Sequence, residues 1–406
     1  MRAALAEVRS AAAARGEDVW LVGGAVRDLL LGRATRDADL LVDIDGDAAA
    51  LARELGKRLG AKPRRHARFG TATLELPDGV RLDLARPRRE TYAHPGALPE
   101  VAFPATLAED LARRDFAIHA MALPLSSRRR LVDPFGGRKD LAAGRIRVLH
   151  DRSFLDDPTR AYRAVRYAAR LGFRLERRTA RLLREAVASG AVDAVSGDRL
   201  RREYMLILSE PHRARSATLL AGLGLDAAIA PSLARPGAAA RLRAADSAAR
   251  RLGLEELEPL CYLLAWMGDA PPGTLADAAD RLALAGPPRE TWRAWSELRR
   301  RGEGFAALRA PERIRRVRGV GPGPAAAVAA TLAPRDRSAW LAAVLAPKPE
   351  LAIRGRDLVA AGVPPGPGVG EALARTLEAR EEGRIRAEQE LEFALEAARR
   401  AGERDR

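Results

Sequence analysis

The chain has 406 residues, 47% hydrophobic and 31% charged, which is ordinary for a soluble protein and long enough for two to four domains with real cores. Its net charge of +16 points toward a polyanionic partner such as nucleic acid, but Lys57, Lys62, Lys139 and Lys348 are the only lysines, so 66 of the 70 basic residues are arginine and their placement matters more than their number. Cys261 stands alone, which excludes a disulfide framework and a cysteine-based zinc site, and the longest apolar run, "PLCYLLAWMG", falls far short of the roughly 20 residues that span a bilayer.

The opening residues carry Glu7 and Glu17 and no signal-peptide core, so the chain reads as cytoplasmic and independent of membranes. Val19 to Val22 reads as a short buried strand that stops at Gly23 and Gly24, followed by a helix over 25–31 ended by Gly32. Asp37-Ala38-Asp39 then runs into the apolar Leu40-Leu41-Val42, a second strand. Alternation puts Asp37 and Asp39 on one face, about 7 Å apart along it. Two carboxylates that close repel unless a cation sits between them. "TATLEL" (71–76) and "VRLDLA" (80–85) flank the turn "PDG" and form a hairpin that carries Asp83. If its strand neighbours that of Asp37 and Asp39, three carboxylates converge, a set suited to Mg²⁺ and phosphoryl transfer. Gly23 and Gly24 would let backbone N–H groups approach phosphates, with Arg27 adding charge; the alternative is that they only allow tight strand–helix packing. They do not fit a dinucleotide fingerprint, because the third glycine is missing.

In "EDLARRDFAIHAMAL" (109–123), the consecutive charges Arg113, Arg114 and Asp115 enter an apolar segment and either cap it or face a ligand. His119 has no metal-site neighbour and reads as a satisfied, half-buried histidine. "DPFGGRKDL" (133–141) reads as a turn between two strands, and "RIRVLH" (145–150) as the last strand. From Asp156 onward the pattern is almost wholly helical, with Gly/Pro breaks such as "ARPG", "GPGP" and "APKPE". Asp157 caps a helix that has Pro158 at its first position. Asp157 and Arg160 then share a face, an acceptor beside a donor. That pair suits the amino donor and ring-nitrogen acceptor of cytosine or adenine, and not uracil or guanine. Arg160, Arg163, Arg166 and Arg170 form a basic stripe, which is either functional or simply solvated. Arg199 and Glu203 read as an i, i+4 ion pair. "GVGPGPAAAV" (319–328) reads as an interhelical turn or a phosphate-holding helical hairpin, and the charged stretch before the C-terminus as a closing helix pair.

In combination, "GGAVRD", "GRATRDADLLV", "LARRDF", "DPFGGRKDL", "DDPTRAYRAVRYAARLGF" and "VSGDRLRRE", spread over residues 20–205, resemble the class II tRNA nucleotidyltransferases and the bacterial poly(A) polymerases. "IRGRDLVAAGVPPGPGVG" (353–370) resembles the tail segment of many members. The resemblance implies an α+β fold: a polymerase-β-like nucleotidyltransferase head (1–148), then an all-α neck with the nucleotide-selecting motif (149–210), an RNA-binding body (211–350) and a tail (351–406). It also implies that Asp37 and Asp39 hold Mg²⁺, with Asp83 as third acid. Arg113, Arg114 and Asp115 match the motif for triphosphate and ribose, and Asp157 and Arg160 the amino-acid template that selects CTP and ATP. Gly23, Gly24, Arg27, Arg163 and Arg166 complete the expected nucleotide contacts, and the tRNA 3′ end is the partner. Ala117 and His119 stand where the family's "RRDFTIN" has threonine and asparagine, and Asp156 and Asp198 replace glutamates. Residues 88–108 fill the place of a loop that CC-only members lack, which argues against CC-only addition. CCA addition, A-only addition and poly(A) synthesis stay open, as does the oligomeric state.

Overall fold

The computed structural model describes residues 1–42, 47–66, 71–125, 130–347 and 350–404; Lys348 and Pro349 of the "APKPE" break lie outside them. The chain divides into two compact units, 1–234 with 280–283, and 235–279 with 284–406.

The first unit begins with helix α1 (Arg2–Arg15), strand β1 (Val19–Val22), helix α2 (Gly24–Leu30), strand β2 (Asp37–Val42) and helix α3 (Ala48–Leu59). Strands β3 (Arg64–His66), β4 (Thr71–Glu75) and β5 (Arg81–Ala85) follow. A separate hairpin, β6 (Arg89–Thr91) and β7 (Glu100–Ala102), leads to helix α4 (Leu107–Ala112) and strand β8 (Ala122–Pro124). The six-stranded sheet has the order β3-β4-β5-β2-β1-β8, with β2 parallel to β5 and the other pairs antiparallel. Alternation sorts its side chains. Val19, Leu21, Ala38, Leu40, Leu82 and Leu84 pack with Val8 of α1 and Leu51 and Leu55 of α3. Trp20, Val22 and Leu41 face the other way, against Leu111 and Ala120. Asp37, Asp39 and Asp83 share the parity of Leu41, so the pleat points them at the segment that carries Arg113 and Arg114.

The expected hairpin at "PDG" forms, with Thr73 opposite Asp83. Two local expectations fail. "DPFGGRKDL" does not link two strands: both Asp133 carboxylate oxygens accept amides, Gly137 N–H at 2.6 Å and Arg138 N–H at 3.0 Å, and start helix α5 (Gly137–Ala142). A Cβ at Gly137 would collide with the Ala117 carbonyl, so the second glycine is there for close approach. "RIRVLH" supplies only the two-residue strand β9 (Arg145–Ile146), which pairs with β10 (Arg174–Leu175) outside the main sheet.

Next come α6 (Ser153–Asp156), α7 (Thr159–Leu171), α8 (Arg177–Ala188), α9 (Gly197–Leu208), α10 (Arg213–Leu223) and α11 (Leu225–Ile229). Helix α7 packs on α9 and α10, and Tyr162, fully buried, donates its hydroxyl to the Leu225 carbonyl at 3.0 Å.

The second unit is built from helices α12 (Ala238–Arg251), α13 (Pro259–Met267), α14 (Pro272–Arg281, whose last two residues belong to the first unit), α15 (Pro287–Arg300), α16 (Ala310–Val317), α17 (Pro322–Thr331) and α18 (Pro334–Leu345). The alanine-rich α17 is buried from Ala325 to Ala330 and packs against α12, α13 and α18; small side chains let the helices approach closely. Trp266, Trp292, Trp295 and Trp340 are buried, so four of the five tryptophans anchor this core. Arginines close several helix ends. Arg241 donates to the carbonyls of Ala265 and Trp266 at the end of α13, and Arg337 to those of Ala329 and Leu332 at the end of α17. In the first unit Arg281 reaches the carbonyls of Val192, Val195 and Ile229. The expected closing pair is α20 (Pro367–Glu381) and α21 (Glu390–Arg404), and the preceding short α19 (Gly355–Ala360) packs against both. Fully buried Glu390 accepts from Arg380 Nε and from the Ala352 amide, both at 2.7 Å. Among the described residues, no helix is long and apolar enough to cross a membrane.

Candidate active site

The sheet sets the acids. Strand β2 lies between β1 and β5, with Asp39 paired to Val22 on one side and to Asp83 on the other. Asp37 and Asp39 open on the cavity, while Ala38 between them is buried. Lost hydration pushes the Asp39 carboxyl above its ordinary value, and the nearby Asp83 and Asp37 add to the rise against the pull of Arg114. Asp83 is tethered: its Oδ1 accepts from Thr73 Oγ1 at 2.5 Å, and its Oδ2 faces Arg81 Nε at 2.9 Å. Gly23 closes the approach. Its φ is 71°, and a Cβ there would sit 2.9 Å from Arg114 Nη1 and 3.1 Å from Asp39 Oδ2, so a side chain would displace the groups that define the floor.

Opposite the acids, fully buried Asp110 on α4 aims two arginines. Its Oδ1 accepts from Arg113 Nε and Nη2, and its Oδ2 from Arg114 Nη2. Both guanidiniums outweigh burial and hold the Asp110 carboxyl below its usual range. Glu90 of β6 takes Arg113 Nη1 at 2.8 Å, which docks the hairpin on this wall.

The third wall is α7. Asp157 Oδ1 accepts from the Thr159 amide and hydroxyl, so its side chain does hold the start of the helix, but one residue further out than expected: Pro158 takes the N-cap position and Thr159 is the first helical residue. Arg160, 4% exposed, donates to Ser153 Oγ and to the Arg113 carbonyl, both at 2.9 Å. Arg163 forks onto Asp115 Oδ2 at 2.9 and 2.7 Å. Burial works to raise the Asp115 carboxyl, but Arg163 and His119 outweigh it and hold it well below the usual range.

These walls enclose a cavity of about 520 Å³, lined among others by Gly23, Gly24, Arg27, Asp37, Asp39, Arg113, Arg114, Asp115, Asp157, Arg160 and Arg163. An adjoining cleft of about 400 Å³ shares Asp39, Arg113 and Arg114 and adds Asp83. No three His, Cys, Asp or Glu side chains among the described residues form a metal cage by themselves. Two open carboxylates at the base of a basic cavity fit a hard cation such as Mg²⁺, which takes its other ligands from water and substrate phosphates.

The Poly A polymerase head domain family matches residues 19–147. The A-adding tRNA nucleotidyltransferase of Geobacter sulfurreducens is 44% identical over 53% of this chain and 24% of its own length. The CC-adding tRNA nucleotidyltransferase of Deinococcus radiodurans is 36% identical over 94% of this chain and 89% of its own. The chain belongs to the tRNA nucleotidyltransferase and poly(A) polymerase family. A CCA-adding enzyme solved with ATP has the same fold, with TM-score 0.81 and 28% identity over 97% of this chain and 94% of that one. The chain spans less than half the length of the first curated relatives it matches, all A-adding. Members of the family use a divalent metal ion.

Three features of this family member depart from expectation. Arg166 is buried outside the cavity lining, 3.6 Å from Glu203 and 3.7 Å from Glu210, while Arg170 lines the cavity in its place. The arginine stripe is therefore no solvated face. Arg199 and Glu203 do not pair: Glu203 turns to Arg166, and Arg199 donates to Asp157 Oδ1 and to the Gly96 carbonyl. His119 is satisfied but wholly buried, and it lines the cavity. Sequence reasoning missed Asp110, Glu90, Tyr92 and Tyr167. Asp110 precedes Arg113 by three and Arg114 by four, a helical spacing that signals its pairing with both.

Proposed function

We infer that this chain is a template-independent tRNA nucleotidyltransferase that adds the 3′-terminal CCA from CTP and ATP and releases pyrophosphate. One observation carries the reading: a single basic cavity joins the strand-borne pair Asp37 and Asp39 to the acceptor–donor pair Asp157 and Arg160. The tRNA 3′-hydroxyl attacks the α-phosphate of the incoming nucleotide. Mg²⁺ held by Asp37 and Asp39, two ions in the two-metal scheme, would lower the charge on the reacting phosphate and favour the ionised hydroxyl. Asp83, fixed by Thr73 and Arg81, serves as the third acid on the side of the incoming 3′ end. Arg113 and Arg114, aimed by Asp110, and Arg27 balance the triphosphate, with the backbone N–H groups of Gly23 and Gly24 beside it. Asp115 shapes the ribose end, while Arg163 holds Asp115 in place.

Asp157 accepts the exocyclic amino group of cytosine or adenine, and Arg160 donates to the neighbouring ring nitrogen. Positioning and electrostatics supply most of the rate, as in other phosphoryl transfers. The segments after residue 210, body and tail in the four-part division, grip tRNA by shape and phosphates in the cytoplasm.

A-only addition is the second reading, favoured by the higher identity of A-adding relatives over the first half of the chain. With poly(A) synthesis still open, the full-length likeness to a CC-adding relative adds a fourth product that the assay must separate. Labelled tRNA ending at the discriminator base, at C and at CC is incubated with Mg²⁺ and CTP, ATP or both, beside Asp39→Ala. Growth of the first substrate by three residues, lost in the variant, supports CCA addition. Growth by two Cs, by one A on the CC substrate alone, or by a long A run reassigns the product. No incorporation by the wild type overturns the catalytic reading.

A further inference from the structure

His119 is one of the four positions at which the sequence departs from the pattern it resembles, and the geometry gives the ring a defined task. It is the last residue of a short 3-10 turn, Ala117–His119, and is 5% exposed. Its Nδ1 lies 2.8 Å from Asp115 Oδ1, and its Nε2 lies 2.7 Å from Arg27 Nη1. A guanidinium carries only donors, so Nε2 must accept and Nδ1 must carry the proton given to Asp115. Only the neutral ring with hydrogen on Nδ1 satisfies both partners. The second oxygen of Asp115 takes Arg163, so four side chains form one hydrogen-bonded line from α2 to α7: Arg27, His119, Asp115, Arg163. All four line the cavity.

The charged groups around the ring are Arg27, itself paired to Asp28 at 2.7 Å, Asp115, and Arg163. The rings of Phe116 and Tyr167 also meet it edge-on, with centroids at 5.9 and 4.4 Å. The Tyr167 ring also has Arg27, Arg163, Arg166 and Arg170 within 4.9–5.7 Å of its centroid. A second proton on Nε2 would set donor against donor at Arg27 and add a cation to a wall already rich in them.

We propose that His119 is a positioning residue of the nucleotide site, whose neutral ring fixes Arg27 and Asp115 against each other and whose protonation releases Arg27. This rests on the reading that the cavity holds a nucleoside triphosphate, and it adds that nucleotide affinity carries an acid limb set by this ring. Burial, Arg27 and Arg163 lower the pH at which the ring charges, while Asp115 opposes them, so the limb falls below the ordinary imidazole range near 6.5.

The test is the dissociation constant of ATP with Mg²⁺, measured by calorimetry on the full chain from pH 7.5 down to 5. His119→Asn keeps one donor and one acceptor but cannot titrate; His119→Leu keeps bulk and loses both bonds. Wild-type affinity should fall with a slope approaching about tenfold per pH unit below the protonation step. His119→Asn should lack that component, whatever its absolute affinity. The protonation of ATP itself affects both proteins alike and cancels in their ratio. His119→Leu should bind at least about tenfold more weakly at pH 7.5, the order expected when two buried polar partners lose their bonds. If it fails to fold, the asparagine variant still decides. The same acid slope in His119→Asn and wild type, or no slope in wild type, overturns the proposal. No ATP binding by wild type at any pH removes the nucleotide-site reading and this inference with it. Binding without incorporation leaves this inference standing while the catalytic reading falls.

Discussion

Arg199 and Asp157 stand 42 residues apart in the chain and 2.9 Å apart in space. The same guanidinium donates to the Gly96 carbonyl at 2.6 Å, in the turn of the β6–β7 hairpin. One side chain therefore ties that hairpin to the carboxylate assigned to base selection. All the hydrogen bonds described to Asp157's carboxylate use Oδ1.

Removing that tether should loosen selection more than chemistry. A charge-assisted hydrogen bond contributes about 1.5–3 kcal/mol, so Arg199→Ala should narrow the preference for CTP and ATP over UTP and GTP by about tenfold or more. The measurement is kcat/KM for each nucleotide on one tRNA. Unchanged ratios would mean that Asp157 keeps its orientation without Arg199.

Asp39 should resist its own ionisation until a cation arrives. Its folded carboxyl is raised above the unfolded value by the lost hydration inside the cavity and by the neighbouring acids, so the ionised form weakens the fold at neutral pH. That penalty fades as pH falls through the folded value toward the unfolded one. Asp39→Asn should melt higher than wild type in chelator at pH 7, by about 2–4 °C for each kcal/mol relieved. Mg²⁺ should raise the midpoint of wild type and leave the variant unmoved. An equal response in both would sink the assignment of the cation to Asp39.

The pair Asp115–Arg163 should hold α7 against the head segment over a defined pH range. The Asp115 carboxyl lies well below its unfolded value near 3.8, so its stabilisation is complete above that pH and is lost as pH falls through the folded value. Arg163→Ala leaves a buried carboxylate half-compensated and should cost about 3 kcal/mol at pH 7 in urea unfolding. The cost should shrink below pH 4. A pH-independent cost would assign the loss to packing.

In the second unit, Glu390→Ala removes the acceptor of both Arg380 and the Ala352 amide. It should destabilise the closing helix pair by about 2–3 kcal/mol and expose α21 to protease before the rest of the chain. Cleavage no faster than in wild type would show that the apolar contacts of Leu358, Ala372 and Ala394 hold the pair alone.

What the sequence made legible follows from local rules. The pleat fixed Asp37 and Asp39 on one face, Asp-Gly fixed the hairpin bearing Asp83, and Asp157-Pro158 marked the start of α7. What it hid depends on distance. For Arg199, helical spacing offers Glu203, but Gly96 and Asp157 compete from 103 and 42 residues away. Arg166 and Arg170 look alike in a stripe, and only the positions of Glu203 and Glu210 on α9 and just beyond it bury one and leave the other on the cavity. Strand β8 is three residues long, too short for a period of two to show. Asp133 reads as part of a turn until both its oxygens are seen to carry the first amides of α5.

The arginines that close helix ends change what the formal charge means. Arg241, Arg281 and Arg337 spend their donors on carbonyls inside the fold. Cations committed in this way have no condensed counterions of an RNA to displace. The steepness with which salt weakens RNA binding counts phosphates neutralised at the interface, not guanidiniums in the chain. This protein should therefore behave in a salt titration as a less basic one than its sequence spells.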